Sequence, residues 1–190
     1  MKALTPREIT TSVVFAALTA IGAWIFIPLP VTPVPITLQV FFVLLSGAVL
    51  GARLGALSQI IYVLMGLVGL PVFASAESGP AVLVGPTGGY LIGFILGSYL
   101  TGKFAESVTL SKFRWYLIGA LAGLIPIYLI GVMWLWYWLK SSFGFAFVAG
   151  VAPFIPADVA KSIVVAYVAS RKQLRAFIDH RLRMTSSEGS

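Results

Sequence analysis

From Trp115 to Leu139 the chain reads WYLIGALAGLIPIYLIGVMWLWYWL, a run that holds no charged residue. As a helix it is long enough to cross a hydrocarbon layer about 30 Å thick, which takes roughly 20 predominantly apolar residues. Similar stretches flank it on both sides. Upstream lie Ile9 to Ile27, Ile36 to Ala52, Leu54 to Leu70 and Gly88 to Gly102; downstream lies Phe143 to Ser170, interrupted by Pro153 and Pro156. Each is bounded by charge or by clusters of proline and glycine. Backbone amides in lipid must be satisfied within the span, which a helix achieves. The pattern therefore predicts an all-α membrane protein with six transmembrane helices.

Composition leads to the same class. Of 190 residues, 59% are apolar and 10% charged, and the mean hydropathy is +0.99. Soluble domains carry about 25% charge, so this composition excludes a cytosolic enzyme, a disulfide scaffold and a disordered chain. The absence of cysteine removes thiolate metal sites and cysteine nucleophiles. A net charge of +7 could suggest nucleic acid, but the basic residues sit between apolar runs, where they set topology. With both termini cytoplasmic, Lys2, Arg7, Arg53, Lys103, Lys112, Arg114, Arg171, Lys172, Arg175, Arg181 and Arg183 all fall on the inner side, leaving Lys140 outside and Lys161 within a span. An odd number of spans would scramble that asymmetry. The first apolar stretch is too long for a signal peptide and runs into a proline-rich loop rather than a cleavage site, so it is expected to stay as a helix. A multi-pass protein of a prokaryotic plasma membrane fits these features.

Residues 1–172 form the expected bundle. In the tail, residues 173–190, Leu174, Phe177, Ile178 and Leu182 recur at helical spacing among basic residues, which suits a short helix on the anionic inner leaflet before a disordered end. Between Pro28 and Pro35 four prolines forbid helix and favour an extended turn. Spans two and three are separated only by a hairpin at Gly51-Ala52-Arg53. The segment from Pro71 to Gly89 is too apolar for a solvated linker and is expected to pack onto the protein.

Small residues recur four apart at Ser12, Ala16 and Ala20, at Gly47, Gly51 and Gly55, at Gly93 and Gly97, and at Gly119 and Gly123. Such stripes let helices approach closely in lipid. Most read as internal packing; on the terminal first span, Ala16 and Ala20 could face another subunit. Gly97 to Lys103 approaches a phosphate-binding loop, but Phe104 stands where a Ser or Thr would hold magnesium, and the segment ends an apolar span rather than forming a strand-to-helix turn. The single histidine, His180, lies in the tail, so neither a Ser/His dyad nor a histidine metal cluster can assemble at membrane depth. No catalytic residue, metal ligand or cofactor site is expected.

Asp158 and Lys161 are the anomaly. A charge at the centre of a membrane helix costs about 2.5–3.5 kcal/mol on insertion scales and calls for partners. Three residues apart, the two lie on one helical face. They read either as a mutually neutralising pair that ties helices together, or as a polar site in which Asp158 accepts N–H groups and Lys161 meets a carboxylate or carbonyl. Pro153 and Pro156 would free the carbonyls of Ala149 and Ala152 nearby. Trp134, Trp136, Tyr137 and Trp138 read mainly as interfacial belt residues, with one or two available to wall a ligand pocket.

Three segments, Pro33-Val34-Pro35-Ile36-Thr37-Leu38-Gln39, Gly69-Leu70-Pro71-Val72-Phe73-Ala74 and Gly85-Pro86-Thr87-Gly88-Gly89-Tyr90-Leu91-Ile92-Gly93-Phe94, together with Pro156-x-Asp158-x-x-Lys161, resemble the signatures of the BioY family. BioY proteins are the biotin-binding S components of energy-coupling factor (ECF) vitamin transporters. The resemblance implies an S-component-like bundle of six helices, high-affinity biotin capture from outside, and partnership with a transmembrane coupling protein, EcfT, and two ABC ATPase subunits. It implies Asp158 and Lys161 as substrate-binding residues, with Gln39, Tyr90 and Phe73 as further candidates, and Ala16 and Ala20 as the surface that meets EcfT. Biotin would be transported substrate, not cofactor. Another vitamin such as thiamine or riboflavin, or a ligand-free role in membrane assembly, are the alternatives.

Overall fold

The computed structural model describes residues 4–107 and 113–171. The first helix, α1 (Pro6–Trp24), begins where Thr5-Pro6-Arg7-Glu8 closes a reciprocal cap. Glu8 N–H donates to Thr5 Oγ1 at 3.3 Å and Thr5 N–H to the Glu8 carboxylate at 2.8 Å, with Pro6 at a position whose N–H is not needed. The apolar run continues to Ile27, but the helix stops at Trp24. Phe26–Ile27 is instead strand β1, paired antiparallel with β2 (Ile36–Thr37), and the prolines between them form the loop of this hairpin.

Helix α2 (Gln39–Leu67) carries 29 residues, yet it is two limbs folded back on each other. Gly51 breaks it with φ 77° and ψ 177°, a conformation that only glycine adopts without strain. Across the break, Gln39 Nε2 lies 2.5 Å from Tyr62 Oη and Gln59 Nε2 lies 3.1 Å from Ser46 Oγ. In a straight helix Gln39 and Tyr62 would stand about 35 Å apart. The turn expected at Gly51-Ala52-Arg53 thus forms, and Glu106 caps the second limb by accepting the Ala52 N–H at 2.8 Å.

A short helix α3 (Pro80–Val84) interrupts the segment after α2, followed by α4 (Gly88–Glu106) and α5 (Phe113–Leu139). The final apolar stretch is α6 (Phe143–Gly150) and α7 (Ile155–Ala169), bent by 46° where Pro153 and Pro156 stand. Among the described residues, α5 is long and apolar enough to cross a membrane, the 29 residues of α2 qualify only when its two limbs are counted as one length, and α6 and α7 qualify together. Helix α4 lies in the middle, against both limbs of α2 on one side and α5 on the other. A Cβ at Gly47 would run into the Ser98 carbonyl, one at Gly102 into the Gly51–Ala52 backbone, and one at Gly97 into Gly123 and Ile127. The glycine stripes are therefore internal packing surfaces, and the phosphate-loop lookalike is the middle of a packed helix.

The stripe of α1 is also internal, which corrects its expected role. Ala16 is fully buried and Ala20 nearly so, both inside this chain. Ser12 Oγ reaches the Leu54 carbonyl at 3.4 Å and Gln59 Nε2 reaches Thr19 Oγ1 at 3.3 Å, so the small face of α1 lies against the second limb of α2. A face already covered offers no open surface to a coupling protein; the outward side of α1 carries Val13, Val14, Ala17 and Ile21. One apolar core joins residues of α1, α2, α4, α5 and α7. The amphipathic tail, residues 173–190, lies outside the described residues.

Candidate functional site

The end of the bundle opposite the Gly51 turn is closed by loops rather than by helix ends. The hairpin loop before α2 and the segment from Gly69 to Thr87 meet there. Trp24 Nε1 donates to the Pro71 carbonyl at 2.9 Å, and Trp134 Nε1 donates to the Gly85 carbonyl at 2.8 Å. The segment packs onto the protein as its apolar composition predicts. Val72 and Phe73 are buried, and the Phe73 ring sits against Gly66, where a Cβ would collide with it, and edge-on to Tyr62.

Beneath these loops is a cavity of about 620 Å³. Gln39, Phe73, Tyr90, Asp158 and Lys161 all line it, so the fold brings together every substrate-binding candidate drawn from four separate parts of the chain. The apolar walls include Phe94 and Phe154. The belt tryptophans do not contribute: Trp134 and Trp136 spend their N–H groups on Gly85 and Ser141 carbonyls, and Tyr137 and Trp138 face outward.

Asp158 and Lys161 sit in the first two turns of α7, where the helix dipole favours the carboxylate. Asp158 is 2% exposed and the Lys161 side chain 12%. Lys161 Nζ donates to Asp158 Oδ1 at 2.6 Å and to the Thr37 carbonyl at 2.7 Å; Tyr128 Oη donates to Asp158 Oδ2 at 2.7 Å. The pair thus ties α7 to β2 and α5 while lining the cavity. Its capacity is not exhausted. A carboxylate offers about four acceptor positions and an ammonium three donors, so two acceptor positions and one N–H remain.

The other candidates are more fully engaged. Gln39 spans Thr37 and Tyr62: its Oε1 accepts from Thr37 Oγ1 at 2.9 Å and its Nε2 donates to Tyr62 Oη, which donates to the Val72 carbonyl at 3.0 Å. Tyr90 Oη donates to the Gly150 carbonyl at 2.8 Å. That carbonyl is free because the Phe154 N–H, which a continuous helix would send to it, bonds Val151 instead. The freed carbonyl taken up across the bundle is therefore that of Gly150, not those of Ala149 and Ala152, because the chain leaves helical geometry at Val151, before the first proline.

Sequence reasoning missed Tyr128 and the Thr37 carbonyl. Tyr128 had one signal, a hydroxyl in the middle of an otherwise apolar span and far from the aromatic belt. The Thr37 contact had none, since a backbone oxygen carries no residue identity.

The sequence model of the BioY family matches residues 1–177. A biotin transporter BioY of Thermotoga maritima is 48% identical over 165 residues, covering 87% of this chain and 95% of that protein. A probable biotin transporter BioY of Pyrococcus horikoshii is 43% identical over 169 residues, covering 88% and 96%. A crystal structure of the S-component for biotin from an ECF-type ABC transporter superposes with a TM-score of 0.81 at 28% identity, over 90% of this chain and 95% of that one.

Proposed function

The chain belongs to the BioY family, and from that premise we propose that it captures biotin for uptake as the substrate-specificity subunit of an ECF-type vitamin transporter. The observation that carries the reading is the buried Asp158–Lys161 pair, with donor and acceptor capacity to spare, on the wall of a cavity of about 620 Å³. Cavities of roughly 300–1,000 Å³ suit small organic ligands. Biotin offers a planar ureido group, an apolar thiophane ring and a valerate chain. Asp158 accepts a ureido N–H, Lys161 donates to an oxygen of the vitamin, and Phe73, Phe94 and Phe154 flank the rings. Tyr90 and Gln39 hold the walls through Gly150 and Tyr62.

The six crossings are α1, the two limbs of α2, α4, α5 and the bent α6–α7 pair, with both termini cytoplasmic in a prokaryotic plasma membrane. The distribution of Lys and Arg supports this orientation. The cavity then opens outward beneath its loops. Release to the inside is driven by an EcfT-type coupling protein and two ATPases, and this chain itself makes and breaks no covalent bond.

Equilibrium dialysis of detergent-solubilised protein against labelled biotin tests the proposal. Saturable binding displaced by unlabelled biotin, but not by thiamine or riboflavin, is the expected result. Displacement by either of those would reassign the substrate. Absence of any vitamin binding would leave the charged pair a structural tie and the chain an assembly subunit.

A further inference from the structure

The segment that covers the cavity is one chain thick. Residues 73–78 all line the cavity, and residues 75–77 are exposed on their other side, so a single layer of chain separates the ligand space from the exterior there. Ser75 and Ala76 have φ of 60° and 58°, a left-handed geometry that these residues adopt at a cost and keep only where their surroundings hold them. What holds them is one face of the second limb of α2, on which Tyr62 and Gly66 stand four residues apart. Tyr62 Oη donates to the Val72 carbonyl at 3.0 Å. The Phe73 ring fills the space that Gly66 leaves without a Cβ and lies edge-on to the Tyr62 ring, 5.7 Å between centroids. The Gly66 carbonyl accepts the Gly79 N–H at 2.8 Å, and the Phe73 N–H closes the loop on itself by donating to the Glu77 carbonyl at 3.1 Å. Both ends of the cover are thus fastened to adjacent turns of one helix.

Tyr62 also orients a residue of the cavity wall. A phenol has one proton, and here it goes to Val72, so toward Gln39 the oxygen can only accept. Gln39 therefore presents Nε2 to Tyr62, and its Oε1 is left to take the Thr37 hydroxyl at 2.9 Å. Tyr62 itself is fully buried and outside the cavity lining, so it touches no ligand. From this we infer that Tyr62 is a positioning residue for biotin: with Gly66 it fastens the cover over the cavity, and the strength of that fastening sets how fast bound biotin leaves. The inference rests on the proposed biotin reading and extends it to a residue that the ligand never meets.

Dissociation of labelled biotin from the detergent-solubilised full chain, chased with unlabelled biotin, tests it. The rate is read only from folded, loaded molecules, so a variant that merely lowers the folded fraction changes the amplitude and not the rate. Tyr62→Phe keeps the ring and removes the hydroxyl that serves Val72 and Gln39; dissociation is expected to be at least about tenfold faster, with association within about threefold of wild type. Gly66→Ala drives a methyl into the Phe73 ring and is expected to speed release in the same way, and it carries the test should Tyr62→Phe fail to fold. Thr19→Val is the control. Thr19 is also fully buried, and its hydroxyl accepts from Gln59 at 3.3 Å, one turn before Tyr62 on the same limb, so its loss weakens the bundle without touching the cover. Its dissociation rate is expected to stay within about twofold of wild type while the denaturation midpoint falls. An unchanged dissociation rate in Tyr62→Phe or in Gly66→Ala, slower association in place of faster release, or equal acceleration in Thr19→Val refutes the inference while the biotin reading stands. A wild-type chain that binds no biotin removes the reading underneath and the inference with it.

Discussion

Replacing Lys161 with methionine isolates what the charged pair does for the fold. At 2.6 Å and an effective dielectric constant near 20, the Coulomb attraction between ammonium and carboxylate is about 6 kcal/mol. Methionine replaces the unbranched stem but ends one atom short of the ammonium and returns no charge. It also avoids the desolvation that the ammonium suffers at 12% exposure, which offsets part of the loss. What remains is an uncompensated carboxylate at 2% exposure, held only by Tyr128 within the protein, and removal of one partner from a buried pair typically costs about 3–5 kcal/mol. Lys161→Met is therefore expected to lower unfolding free energy by about 3–5 kcal/mol, and the double variant Asp158→Asn with Lys161→Met to recover most of it, because the amide oxygen still accepts the Tyr128 hydroxyl. Denaturant titration in detergent measures both, and dialysis should find biotin binding lost in both. A single variant within about 1 kcal/mol of wild type would refute the reasoning, since it would mean that water already solvates the carboxylate.

Four further outcomes follow from the geometry. Lys161→Arg keeps the ion pair but changes its shape, so stability should hold while biotin affinity falls at least about tenfold by calorimetry. Tyr128→Phe removes one hydrogen bond to a charged oxygen, worth about 1.5–3 kcal/mol, and should weaken biotin binding in the same titration while leaving the helix content by circular dichroism unchanged. Gly51→Ala forces a side chain into a left-handed conformation next to Glu106 and should destabilise the protein by about 1–3 kcal/mol in denaturant titration. Because the chain has no native cysteine, single Glu77→Cys and Arg53→Cys variants report sidedness: a membrane-impermeant maleimide should label the first on intact cells and the second only after permeabilisation.

Much of the bundle was legible because lipid imposes it. Apolar length marks α4 and α5 closely, and Gly51-Ala52-Arg53 marks the fold-back of α2, since a glycine and a cation between two apolar runs have few other uses at a membrane surface. The β1–β2 hairpin and α3 were not legible, because two-residue strands and a five-residue helix leave no periodicity to read. The direction of the Ala16–Ala20 stripe was equally hidden. Small residues fit any closely packed helix, and sequence does not say whether that helix belongs to the same chain. At the site, Asp158 and Lys161 stood out because charge in hydrocarbon is rare, whereas Tyr128 meets Asp158 from 30 residues away through a packing of α5 on α7 that no local pattern encodes.

The fold-back at Gly51 sets how deep the cavity lies. Residues 39–50 and 52–67 rise only about 18 Å and 24 Å as helices, short of a hydrocarbon layer about 30 Å thick. Loops and a ligand-sized space make up the difference at one face. Neither limb alone reaches across such a layer, and the cavity occupies length that a full-span helix would have filled with side chains.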